Sequence, residues 1–145
     1  DHGLLATVEA TIDRLGLSDA VDIVGFLDQR GKRLAFEEHD IFLNTNRVDN
    51  TPVSVLEAAG AGLVPVSTAA GGIPDLLTDG VDSLVVPVGD ASALAAAVGS
   101  LLDNSDLFAS LGRGARALVE RCDWPAVHDQ WIAELTTLAG RDGPP

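Results

Sequence analysis

Asp49 and Glu57 stand eight positions apart in DNTPVSVLEAAGAGLVPVS, a run otherwise made of small, apolar and uncharged polar residues. Glu57 is the only charged side chain between Asp49 and Asp75. A carboxylate set among Val53, Leu56, Ala58 and Gly60 is costly to bury unless it is paired or hydrogen-bonded. Two readings stand side by side: Glu57 faces water from a partly exposed helix, or it accepts hydrogen bonds from the hydroxyls of a ligand, as acids of nucleotide-binding sheets do with ribose. Asp49 either favours the dipole of the helix that follows it or holds a second hydroxylated group. With Asn44, Thr45, Asn46, Arg47, Asn50 and Thr51, these acids form the densest polar set in the chain.

The elements that must position this set follow from apolar spacing. Leu4, Leu5, Val8, Ile12 and Leu15 recur at helical intervals and predict a helix over Leu4–Leu17, with Gly16 near its end as a stop. VDIVGF, Val21 to Phe26, reads as a strand, Lys32–His39 as a short exposed helix, and Asp40–Asn44 as the next strand. Pro52 suits a first helical turn, with Asn50 or Thr51 as its cap, so that VSVLEAAGAG is a helix and LVPVS a strand. GGIPDLL starts a short helix, SLVVPV is a fourth strand, and ASALAAAVGSLL, Ser105–Glu120 and Trp124–Ala139 are helices. Trp124 and Trp131, at helical spacing, read as core anchors, and Cys122 as a half-buried helix residue.

Short apolar strands without clean alternation, each followed by a helix, imply a parallel sheet covered on both faces. The fold class expected is therefore α/β, a Rossmann-like doubly wound parallel sheet with flanking helices, and a further strand is expected upstream of Asp1. Ligands of such sheets lie at the carboxyl ends of the strands, which selects the loops after Val24, Leu43, Val66 and Val86. Residues 1–140 are expected to form one domain, and 141–145 a disordered tail.

Composition narrows the partners. The chain has 145 residues, 46% hydrophobic and 21% charged, with a formal net charge of −13. That charge argues against nucleic acid or an anionic membrane surface as the main partner. It leaves room for a small anion, since helix N-termini bind phosphate without a basic surface. A single cysteine excludes an internal disulfide framework and points to a reducing, cytoplasmic setting. No apolar run reaches the length of a membrane span. His2, His39 and His128 are scattered, with neither metal-ligand nor triad spacing, and read as surface or packing residues. Arg47 is the cation nearest the polar loop, and reads as a solvated loop arginine.

The string Asp49-x-x-Pro52-x-x-x-x-Glu57-Ala58-x-Gly60-x-Gly62-x-x-Pro65-Val66, followed by Gly71-Gly72-Ile73-Pro74-Asp75, resembles the nucleotide-sugar-binding, C-terminal half of family-4 retaining glycosyltransferases of GT-B architecture. That family pairs an E-x7-E motif with EAMAxGxPVV and a GGxPE turn, and the resemblance covers nearly the whole chain. Here the first acid is Asp49 where the family has glutamate. The resemblance implies that Asp49 and Glu57 are the candidate catalytic acids, Glu57 holding the ribose hydroxyls. It assigns the donor sugar and phosphate to Asp49 and to the backbone of Asn50, Thr51 and Val53, with Pro52 fixing the helix start. Gly25, Phe26 and Leu27 match the loop that reads the base, Phe26 or Leu27 packing on it. Trp124 or Trp131 would reach the other half of the enzyme if the last helix crosses back to it.

The resemblance further implies a UDP or GDP sugar as donor substrate and no cofactor or bound metal. A separate N-terminal half would bind the acceptor, and phosphate-binding Arg and Lys would precede Asp1. The product would be a glycan whose anomeric configuration is retained, and the full-length enzyme would associate peripherally with a membrane. The alternatives are a non-catalytic nucleotide-binding or protein-interaction module, and a GT-B-like epimerase or phosphorylase; the P-x4-E-A spacing favours the transferase. Gly71 and Gly72 suit either a tight turn beside a ligand or a plain strand-to-helix turn.

Overall fold

The computed structural model describes residues 2–140. The expected tail, 141–145, lies outside the described residues, as does the side chain of His2. The described chain separates at Lys32/Arg33 into two compact units.

The first unit contains helix α1 (His2–Leu15) and the opening of α2 (Gln29–Glu37). α1 stops where expected, at Gly16, whose φ of +67° suits a residue without a Cβ. Between the helices, Val21–Phe26 is irregular and not a strand. β-branched residues favour extended backbone, but a strand also needs a neighbour for its N–H and C=O groups. Among the described residues the only ladders join the three strands of the second unit, apart from an isolated bridge there. α2 starts three residues before the expected Lys32, because the Asp28 carboxylate accepts from the Gly31 N–H at 2.7 Å and anchors its first turn.

The second unit is built on a parallel sheet of order β1 (Ile41–Asn44), β2 (Val64–Thr68), β3 (Leu84–Val86). In its register Phe42 lies beside Pro65 and Val66 beside Leu84. Side-chain alternation then sends Ile41, Val64, Val66 and Leu84 to one face and Phe42 and Val85 to the other. Each face has its own core. The first set packs with Leu101 of α5 (Ala91–Asp103) and Leu111 of α6 (Ser105–Arg121). The second packs with Val55 of α3 (Val53–Ala61), Ile73 of α4 (Ile73–Leu76), Leu77, and Leu118 from the end of α6. The doubly covered parallel sheet expected from the unbroken apolar strands is therefore present, and every residue of β2 is buried.

Two expectations at the periphery fail for a shared reason. α7 (Trp124–Ala139) has no buried residue, and Trp124 and Trp131 are 69% and 60% exposed, so neither anchors the core. Helical spacing reports a common face but not what covers it. Cys122, expected to be half-buried within a helix, is exposed just past the end of α6. No helix of the described residues is long and apolar enough to cross a membrane.

Candidate functional site

Because the strands are parallel, their carboxyl ends share one edge, and the chain leaves that edge at Asn44, Thr68 and Val86. The loop after β1 runs to the start of α3. Its foot is a buried polar network: Asn44 Nδ2 donates to Ser67 Oγ at 3.1 Å, and Ser67 Oγ donates to the Thr68 carbonyl at 3.1 Å. The Thr68 hydroxyl donates to the Asn46 carbonyl and ties the outgoing loop to the end of β2. Buried hydroxyl and amide groups thus find partners in each other, as burial requires.

Asp49, half-buried, braces the crown of the loop. One carboxylate oxygen accepts from Asn46 Nδ2 and the other from the N–H of Asn50 at 2.8 Å. Such local bonds suit a short acidic side chain. Asn50 and Thr51 are exposed and cap nothing in α3. The capping position belongs to Pro52, which is buried, with φ −71° and ψ 107°, and makes no side-chain cap hydrogen bond. The expected cap by Asn50 or Thr51 is corrected accordingly: proline's fixed φ sets the entry, and the polar residues remain in the loop. The Val55 N–H bonds the Pro52 carbonyl at 3.1 Å, so those of Val53 and Ser54 lie ahead of it and form a helix start with donors to offer.

Glu57 is half-buried one turn after Val53, and the two share a face of α3. Of the interval from Asp49 to Glu57, only Val53–Glu57 is helical. Gly25, Phe26 and Leu27 lie in the first unit. Gly25 has φ +66°, Phe26 is 96% exposed and Leu27 is half-buried.

Beside the loop, at the same sheet edge, is a cleft of about 320 Å³ lined by Thr45, Arg47, Thr68, Gly89, Asp90 and Leu94. Arg47 is exposed, and Asp90 is the N-cap of α5, accepting from the Ala93 N–H at 2.9 Å. Sequence reasoning selected the loop after Val86 but not Gly89, Asp90 or the Thr68 hydroxyl. Asp90 precedes an alanine-rich helix and carries a capping signal, whereas the Thr68–Asn46 bond joins residues 22 apart and leaves no local trace. Among the described residues no cluster of His, Cys, Asp or Glu could hold a metal ion. His39 and His128 are exposed, His39 beside the Ala35 carbonyl and His128 beside Asp129.

A parallel sheet covered on both faces, with a polar loop and a helix start at its carboxyl edge, defines a doubly wound α/β domain of the Rossmann-like class. Residues 3–104 match the family model "Glycosyl transferases group 1", and the chain belongs to that family. The amylovoran biosynthesis glycosyltransferase AmsK of Erwinia amylovora is 34% identical over 123 residues, covering 81% of this chain and 30% of that protein. A GDP-mannose-dependent alpha-mannosyltransferase of Mycobacterium tuberculosis is 31% identical over 141 residues, covering 94% and 36%. The chain spans about a third of the length of these curated relatives.

Among solved structures, Anabaena HepE in complex with UDP-glucose superposes with a TM-score of 0.83 at 22% identity, over 94% of this chain and 38% of that one. The sucrose-phosphate synthase of Thermosynechococcus elongatus gives 0.78 at 23%, over 93% and 34%. The fold is that of these GT-B neighbours, and the matches are consistent with the C-terminal half of such an enzyme.

Proposed function

We propose that this chain binds a nucleotide-diphosphate sugar at the carboxyl edge of its sheet, and that the whole enzyme transfers the sugar to an acceptor held by an N-terminal half. The observation that carries this reading is the start of α3: a helix N-terminus whose capping residue, Pro52, makes no side-chain cap hydrogen bond, facing a polar loop that ends in Asp49, Asn50 and Thr51. The N–H groups of Val53 and Ser54 and the helix dipole suit a diphosphate. Glu57, on the same face, receives the ribose hydroxyls. Asp49 and the backbone of Asn50 and Thr51 receive the sugar and Pro52 fixes the helix start; the assignment of Gly25, Phe26 and Leu27 to the base rests on the family resemblance alone.

In this arrangement the chemistry is electrostatic. As the bond from the anomeric carbon to the diphosphate breaks, negative charge grows on the leaving oxygen, and oriented N–H groups stabilise it without reorganising. Neither a metal nor a cofactor is assigned a role. Transfer with retention of configuration rests on the family resemblance, as does the peripheral membrane association of the full-length enzyme. The cytoplasmic setting rests on the lone cysteine. A UDP or GDP sugar is supported by a neighbour solved with UDP-glucose and by a GDP-mannose-dependent relative.

The test is Glu57→Gln in the full-length protein, titrated by calorimetry with UDP-glucose and GDP-mannose. Loss of hydrogen bonds to a charged acceptor is worth about 1.5–3 kcal/mol, so the dissociation constant of the bound donor should rise roughly tenfold to a hundredfold. An unchanged constant in a folded variant would remove Glu57 from the site.

A further inference from the structure

We infer that Gly71 and Gly72 form a backbone clamp that positions the donor loop: they leave the Asp49–Asn50 backbone room to settle against their turn, and so fix where α3 begins. A Cβ at Gly71 would run into the Asp49 carbonyl oxygen, and one at Gly72 into the Asn50 carbonyl oxygen, with the Thr51 hydroxyl 3.5 Å away. Contacts this close with backbone atoms cannot be relieved by turning a side chain. The loop after β2 and the loop after β1 are therefore in direct backbone contact, and only glycine on one side permits it.

The two glycines contribute differently. Gly71 has φ +55°, so it is needed for its conformation as well as for the approach. Gly72 has φ −81°, which any residue adopts, so its requirement is the approach alone. Other bonds hold the same loop, the Thr68 hydroxyl on the Asn46 carbonyl and the Asp49 carboxylate on Asn46 and Asn50. The glycine turn bears on Asp49 and Asn50 directly, next to Pro52 and the open N–H groups of α3. Gly71 and Gly72 are positioning residues: they touch the loop rather than a ligand, and a shift of the Asn50 carbonyl moves the donors that follow. The consequence for binding rests on the donor-site reading above.

The experiment compares Gly72→Ala with Gly80→Ala in the full-length protein. Gly80 has φ +72° and open space around its Cβ direction, so alanine there strains the backbone without pressing on the loop. Hydrogen exchange at the Asn50 and Val55 amides, which donate to the Asp49 carboxylate and the Pro52 carbonyl, reads the clamp, and calorimetry with UDP-glucose and GDP-mannose, at a temperature where all variants are folded, reads its effect on binding. Gly72→Ala should speed exchange of the Asn50 and Val55 amides about tenfold or more and weaken the bound donor by about tenfold. Gly80→Ala should lower the melting temperature while leaving both unchanged. Unaltered exchange at the Asn50 and Val55 amides in Gly72→Ala overturns the clamp whatever the ligand does, and so does an equal change in both variants. If exchange rises but wild type binds neither sugar nucleotide, the clamp stands and the donor assignment falls.

Discussion

The Asp49 carboxylate works inside the loop before any ligand arrives, since its two oxygens already accept from Asn46 and from the Asn50 N–H. A carboxylate oxygen has more than one lone pair, so bracing the loop and accepting a sugar hydroxyl are compatible. Asp49→Asn keeps the side-chain length and an acceptor for Asn50 but replaces one oxygen by a donor. The expected outcome is a loss of about 0.5–1.5 kcal/mol for the sugar nucleotide and a smaller loss for the bare nucleotide diphosphate, both measured by calorimetry. Equal losses would mean that the carboxylate acts only through the loop. Much of this was visible before the fold was known: Asp49, Pro52 and Glu57 stand out because charge is scarce between residues 49 and 75. What stayed hidden were their partners. Neither the closeness of Gly71 to the Asp49 backbone nor the Thr68 bond to Asn46 follows from local sequence, because both depend on how two strand ends meet.

At the scale of elements, apolar runs and punctuation located every strand of the sheet and every helix that packs on it. The residues that limit α3 also acted as local geometry requires. Pro52 holds its entry, and Gly62, at φ +102°, closes it, with its own N–H reaching the preceding carbonyls. Failures occurred where an element depends on something outside itself, as Val21–Phe26 depends on a ladder partner and α7 on a surface to cover its tryptophans. The two cores give elements of unequal sensitivity. Ile73 is fully buried between α3 and α6, so Ile73→Ala should destabilise the second unit by about 2–5 kcal/mol, read from its urea midpoint. Asp90→Ala removes one exposed cap from α5 and should cost about 1 kcal/mol by the same measurement. If the two costs were equal, the burial of Ile73 would not be what holds α3 and α6 to that face.

For the molecule as a whole, charge is the long-range term left unbalanced. The formal net charge is −13. Among the described residues, the Arg33–Glu37 and Arg116–Glu120 pairs span 3.5 and 3.9 Å within single helices and are well exposed. Exposed pairs of this kind contribute about 0–1 kcal/mol each, whereas self-repulsion grows with the whole excess of acids and opposes the compact state. Repulsion is screened by salt over a Debye length that falls from about 30 Å at 0.01 M to about 8 Å at 0.15 M, while burial in the two cores does not depend on such screening. The expected outcome is that the thermal midpoint of this chain rises as sodium chloride is raised from about 0.01 M to about 0.15 M, followed by circular dichroism at constant pH. Attractive pairs would make it fall, because the same screening weakens them. A falling midpoint would therefore mean that ion pairing outweighs the net charge, and that the acidic surface is more evenly neutralised than its composition indicates.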